Sequence, residues 1–394
     1  MASIMAATAT LPTREALRAA VDAGLGEARA LAGWMAGHPE LSLQEHETSR
    51  RFRAYLAAQG LAVEHPVAEL PTAFVADAGR ASAPLSVALL AEMDALPEIG
   101  HACGHNLSGP ASLLAAAALV QTLPPGALRL RVVGSPAEEI GVGKRRLVAA
   151  GVFEGFDAAL MAHASDMRRA HRLFLGNRKF DFTFHGRAAH AAAYPERGVN
   201  ALDAVVALFV AMGLLRQQLP SGVRVHGVIR EGGRAPNVIP ERARAEVWVR
   251  ALDARQLDDA AARVQACAEG AARSTGTRLE AVELESSSPP LRPAPALAGA
   301  YRDALAWLGL PETEHAPDQA IGSSDVTHVS QVVPTIHPNF PIGRELQLHT
   351  RAFAEAAASE AGAEGLAEAA RALALTVLAL ASDPALRAAV AAGR

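Results

Sequence analysis

Three short apolar runs, LSVALLAEMD (85–94), LRLRVVGSPAEE (128–139) and FDAALMAHASD (156–166), are separated by helical stretches such as PASLLAAAALVQTL and KRRLVAAGVF. Strands alternating with helices predict an α/β fold with a mainly parallel sheet flanked by helices. Each run passes straight into a residue of ligand type: Asp94 with a His/Cys cluster behind it, the pair Glu138 and Glu139, and His163. In open α/β sheets the site lies outside the carboxyl ends of the strands. Three strands therefore deliver coordinating groups to one edge.

From about residue 178 the period changes. KFDFTFHG alternates, VNALDAVVALFVAMGLLRQQL reads as an amphipathic helix, and VRVHGVIREGG and RARAEVWVRAL read as a strand pair. A second helix, ARQLDDAAARVQACAEGAARS, and the strand RLEAVELES complete β-α-β-β-α-β, the ferredoxin-like order. The breaker-rich SSSPPLRPAPAL (286–297) marks the return to the first domain. The expected division is a catalytic α/β domain over 1–177 and 287–394, with an α+β domain inserted at 178–286. A helix (LAGAYRDALAWLGL), a strand with turns (VVPTIHPNFPIG) and a long alanine-rich helical tail follow the insert.

Charge narrows the functional classes. Lys+Arg 37 against Asp+Glu 41 leaves a net −4, and apart from Lys144 and Lys179 every cation is a scattered arginine. Without a basic stripe, neither nucleic acid nor an anionic membrane is an expected partner. The two cysteines, Cys103 and Cys267, allow one disulfide at most, and Cys267 lies at what reads as a buried helical position. A reduced, cytoplasmic setting fits better. The first residues lack the basic start and apolar stretch of a leader, and no segment reads as a membrane span.

Cys103 and His105 are two residues apart, which on a helix would turn them to opposite sides, so a loop is expected to bring them to one ion, with Gly100 and Gly104 allowing tight turns. Thiolate and imidazole together suit zinc or another borderline transition metal better than magnesium or calcium. The adjacent carboxylates Glu138 and Glu139 point in different directions, which suits one to bind metal and the other to act as general base. His163 and His349 complete a set of one Cys, one Glu and three His, too many for a single closed tetrahedral site and enough for two ions. Singly, each has an ordinary structural explanation: a polar strand end, a small buried thiol, a solvated surface pair. Their joint placement at successive strand ends is what signals a site. Gly141, Gly143 and Lys144 in EIGVGKRR echo a phosphate loop, but the first glycine and the final Ser/Thr of that pattern are missing.

With these residues in place, the chain resembles the two-metal aminoacylase/carboxypeptidase family of metallopeptidases, which includes indole-acetyl-amino-acid amidohydrolases and p-aminobenzoyl-glutamate hydrolases. The resemblance runs through HPELSLQEHETS, EMDALPEIGHACGHN, GSPAEE, DAALMAHASD, FHGRAAHAAAYPERGVNAL, GGRAPNVIP, GSSDVTHVSQVVPTIHP and LHTRAFAEAA, nearly the whole chain. Asn106, in place of the more common Asp, resembles the p-aminobenzoyl-glutamate hydrolase and dipeptidase branch. The resemblance implies that Cys103 bridges two divalent ions, with His105, Glu139, His163 and His349 as the other ligands, Glu138 as general base and Asp94 as their orienter. It also implies that the insert is a lid that mediates a homodimer, that His190 polarises the scissile carbonyl, from its own or the partner subunit, and that Asn237 holds the substrate carboxylate. Manganese, cobalt or nickel would be tolerated beside zinc.

The expected activity is hydrolysis of the amide bond of an N-acyl amino acid, dipeptide or related small carboxylate-bearing amide. A metal-bound hydroxide would attack the carbonyl while Glu138 carries the proton to the leaving amine. The alternatives are a hydrolase of non-peptide amides on the same centre, such as a deacetylase, carbamoylase or detoxifying amidase, and a catalytically silent metal-binding relative. Selectivity lies in pocket shape. Arg234, beside APNVIP, is the residue to inspect for it.

Overall fold

The computed structural model describes residues 10–314 and 322–393. The opening nine residues, part of the stretch read above for a leader, lie outside them. The described chain divides into two compact units. One holds the chain up to Arg172 together with segments that begin at Arg292 and His328, and the other runs from Leu173 to Leu291 and includes 322–327.

The first unit is built on six strands: β1 (Ala62–Glu64), β2 (Phe74–Ala78), β3 (Ser86–Glu92), β4 (Arg129–Ser135), β5 (Ala158–Leu160) and β11 (Thr335–Ile336), in the order β1-β2-β4-β3-β5-β11. The run β4-β3-β5-β11 is parallel, while β2 pairs antiparallel with β4 and β1 with β2. All seven residues of β3 are buried, which is why its sequence is apolar without alternation. The third apolar run forms two strands where the pattern suggested one. After β5 the chain leaves the sheet and His163 opens β6 (His163–Ser165), which pairs in parallel with β12 (Asn339–Pro341).

The helix His105–Thr122 packs so closely on β3 that a Cβ at Gly109 would meet the Glu92 carbonyl oxygen at 2.5 Å. His105 is its first residue, so the loop expected to carry both ligands ends at Gly104. Gly104 takes φ +87, and a Cβ there would strike the Ala164 side chain at 2.5 Å. Only glycine turns the chain at that point. The helix Glu360–Ser382 is long and apolar enough to cross a membrane, but most of it is buried in this core.

The second unit follows the ferredoxin-like order: β7 (Gly176–His185), helix Ala201–Leu215, β8 (Arg224–Glu231), β9 (Arg242–Ala251), helix Ala254–Thr275 and β10 (Arg278–Glu283), in an antiparallel sheet β10-β7-β9-β8. Phe180, Phe182 and Phe184 alternate on β7 and are buried against the helices with Val247, Leu208 and Val264. Burial of each phenylalanine contributes about 2 kcal/mol. Asn177 and Ser288 exchange backbone hydrogen bonds of 2.7 and 2.8 Å, which ties both ends of this segment together. The outer face of the 201–215 helix departs from the expected amphipathic pattern, since Val206, Val210 and Leu214 are 50%, 59% and 72% exposed. Cys267 is half-buried against this core, and both cysteines are free.

Candidate metal centre

Beyond β3, Asp94 is fully buried and accepts hydrogen bonds from Ser42 Oγ at 2.7 Å and from the Glu139 backbone N–H at 3.0 Å. Burial alone would raise its pKa, but His105, Glu139 N–H and Ser42 outweigh it and hold the carboxyl below its usual value. The loop after β4 is braced from the other side. Glu45, also buried, accepts from the Ala137 N–H at 2.9 Å and from Thr72 Oγ1 at 2.7 Å, and Ala137 itself takes the left-handed φ of 60. Burial, then the Asp94 charge, raises the Glu45 pKa. The N-terminal stretch HPELSLQEHETS thus holds the loop that presents Glu138 and Glu139.

Two of the buried imidazoles are oriented by carbonyls. His105 Nδ1 lies 2.8 Å from the Asp94 carbonyl oxygen, and His163 Nδ1 lies 2.8 Å from that of Ala164. A carbonyl only accepts, so Nδ1 carries the proton in both rings and Nε2 is turned to the site. His163 Nε2 stands 3.5 Å from Cys103 Sγ. His349, in a strained turn with φ 64, places Nε2 3.5 Å from Glu139 Oε2. Glu138 Oε2 is 4.0 Å from His105 Nε2.

The ligating atoms of Cys103, His105 and His163 lie within 4.8 Å of one another, as do those of Cys103, Glu139 and His349, and those of His105, Glu138 and Glu139. Two three-residue groups thus share the cysteine. All six residues that the sequence nominated as ligands or base come together at one edge of the sheet.

The donor set fits divalent metal. His105 Nε2 and Glu139 Oε1 are buried without a hydrogen-bond partner, a costly condition of about 1–3 kcal/mol each unless a cation meets them. Burial disfavours charge on His105, yet Glu92, Cys103 and Asp94 around it lift its pKa well above the usual value, so the pocket attracts positive charge. Burial pushes the Cys103 thiol well up, and a thiolate there needs an adjacent cation. His163 is pushed down to about 4 by burial, which keeps it neutral, as a ligand must be. His101, at the start of the HACGH stretch, is likewise buried and lowered to about 3, and belongs to none of these groups.

Two buried residues escaped sequence reasoning. Glu92, the last residue of β3, pairs with Lys144 Nζ at 2.6 Å. His337 stacks on His163 with ring centroids 5.1 Å apart. Lys144, part of the phosphate-loop echo, is fully buried in that ion pair. The only sequence signal for Glu92 was a carboxylate where a buried strand should have stayed apolar.

His190 and Asn237 belong to the second unit. Their segments are joined by a hydrogen bond of 3.0 Å from the Ala191 N–H to the Asn237 carbonyl. His190 Nδ1 accepts the backbone N–H groups of Ala192 and Ala193 at 3.3 and 3.1 Å, which fixes the proton on Nε2 of an exposed ring. Arg234 is exposed and lines a 380 Å³ cleft with Asn200, Gly233 and Val238.

Residues 175–275 match the model of the peptidase dimerisation domain. The chain is similar to the Xaa-Arg dipeptidase of Mus musculus, with 39% identity over 88% of this chain and 84% of that protein. It is also similar to one of the p-aminobenzoyl-glutamate hydrolase polypeptides of Escherichia coli, with 33% identity over 70% of this chain and 61% of that one. Among solved structures, a dinuclear metal-binding peptidase of the M20 family from Bacillus subtilis shares the fold with a TM-score of 0.69 at 22% identity, covering 91% of this chain and 99% of that one.

Proposed function

Because this chain belongs to the M20 family of metallopeptidases and is a metal-dependent amide hydrolase, we propose that its substrates are dipeptides or N-acyl amino acids with a free carboxylate. The observation that carries the reading is the cysteine shared by two ligand groups at the strand ends. Cys103, His105 and His163 would hold one divalent ion and Cys103, Glu139 and His349 the other, with zinc best suited to thiolate, imidazole and carboxylate together and manganese admitted by the family resemblance. Bound there, the pair supplies Lewis acidity and lowers the pKa of water.

The chain's own groups do the rest. Glu138 takes the proton of the attacking water and hands it to the leaving amine. His190 offers its Nε2–H to the oxyanion, a role its two backbone donors prepare by occupying Nδ1. Asn237, linked to the same segment, receives the substrate carboxylate. Asp94 orients His105 and Glu139.

The second unit acts as a lid and as the contact between two copies of the chain. Val206, Val210 and Leu214 form an exposed apolar stripe, and the outer edge of β8 is unpaired within its sheet, with Val228 and Ile229 exposed on it. Self-association covers both. Two free cysteines suit the cytoplasm.

The test is a panel of dipeptides, including ones with C-terminal arginine, N-acyl amino acids and aryl-glutamates, offered to metal-loaded protein with free amine as readout. Turnover that disappears on chelation and on amidation of the substrate carboxylate is expected. Turnover confined to amides without a carboxylate would move the assignment to a hydrolase of non-peptide amides, such as a detoxifying amidase.

A further inference from the structure

Three consecutive residues, His337, Pro338 and Asn339, surround His163. The His337 ring stacks on its imidazole, the Pro338 carbonyl accepts its backbone N–H at 2.9 Å, and Asn339 Nδ2 donates to its carbonyl oxygen at 3.2 Å. With Nδ1 taken by the Ala164 carbonyl, the ring presents Nε2 to Cys103 Sγ. Asn339 is itself 1% exposed, and its remaining polar groups are occupied. Its main chain exchanges hydrogen bonds of 2.8 and 3.1 Å with Arg169, and its Oδ1 accepts from Arg172 Nη1 at 2.7 Å. A side-chain amide has nearly the same shape with oxygen and nitrogen exchanged, so its partners decide which way it points. A guanidinium only donates. Arg172 therefore holds Oδ1 towards itself and turns Nδ2, the donor, to His163. In the opposite orientation the amide oxygen would face the His163 carbonyl oxygen, and the NH₂ would face the guanidinium.

Resting on the two-ion reading above, we propose that Arg172 is a positioning residue of the metal centre, which fixes the His163 backbone through the Asn339 amide and so sets where Nε2 meets the ion shared with Cys103 and His105. Neither Arg172 nor Asn339 belongs to a ligand group, and their control reaches one ion of the two. The ligands of the other are held elsewhere, Glu139 by Asp94 and His349 by the Ala102 carbonyl, which accepts its backbone N–H at 3.0 Å.

Equilibrium dialysis of full-length protein against zinc, followed by elemental analysis, reads both ions in one sample. Arg172→Met keeps the apolar stem of a half-buried side chain and removes the donor. It should weaken one ion by about 10–100-fold and leave the other within about threefold, the range for loss of an outer hydrogen-bond partner. Arg172→Lys retains a donor for Oδ1 and should recover most of that affinity. Asn339→Asp retains the acceptor for Arg172 but gives up the donor to His163, and should reproduce the selective loss. A purely structural role for Arg172 predicts instead that both ions weaken alike in Arg172→Met. That result, or wild-type affinity for both ions in Arg172→Met and Asn339→Asp, would overturn the assignment. A wild type that binds no zinc would overturn the two-ion reading beneath it.

Discussion

Asp94 joins the two carboxylate-bearing loops of the site, for its Oδ2 accepts the Glu139 backbone N–H at 3.0 Å while its main-chain carbonyl, 2.8 Å away, holds the His105 ring. One residue therefore orients a ligand in each of the two groups that share Cys103. Asp94→Asn keeps the size but gives up the charge, and Asp94→Ala gives up both contacts of the side chain. Metal affinity should fall by about 10–100-fold in the alanine variant and less in the asparagine variant. Isothermal titration with zinc checks this, and the larger loss is expected at the ion of Glu139, since the main-chain carbonyl that holds His105 remains in both variants.

Glu138 and Glu139 are neighbours with separate work. Glu138→Gln should lower kcat by about 10²–10⁴-fold, the range for loss of a general base, with two ions still bound. Glu139→Gln should instead lower metal content at the group that contains His349. Elemental analysis beside turnover distinguishes the two, and a Glu138→Gln enzyme with full turnover would remove Glu138 from proton transfer.

These assignments show what a sequence can and cannot reveal. The strand-end positions of Asp94, Glu138 and Glu139 followed from apolar runs that break into polar residues, because a buried parallel strand admits no other pattern. His163 was found for the same reason, although the chain leaves the sheet before it, a break that Met161 and Ala162, both buried, do not announce. Glu92 and His337 went unseen because each is buried by contacts distant in sequence: Lys144 for one, the His163 ring for the other. The apolar outer face of the 201–215 helix was likewise hidden, since composition alone does not say which side meets the sheet.

That face gives a test of assembly. Val210→Glu with Leu214→Glu places two charges on positions 59% and 72% exposed in the chain, so folding should be unaffected while a self-associating surface is broken. Sedimentation velocity should show a dimer for the wild type and a monomer for the double variant. If His190 serves the partner's site, the monomer should also lose turnover while retaining both ions.

The metal content of Cys103→Ala tests the shared thiolate most directly. Removal of one bridging sulfur should weaken both ions together, each by at least about tenfold, with loss of amide hydrolysis. Two ions retained at wild-type affinity, or the loss of one with the other untouched, would contradict a centre built on Cys103.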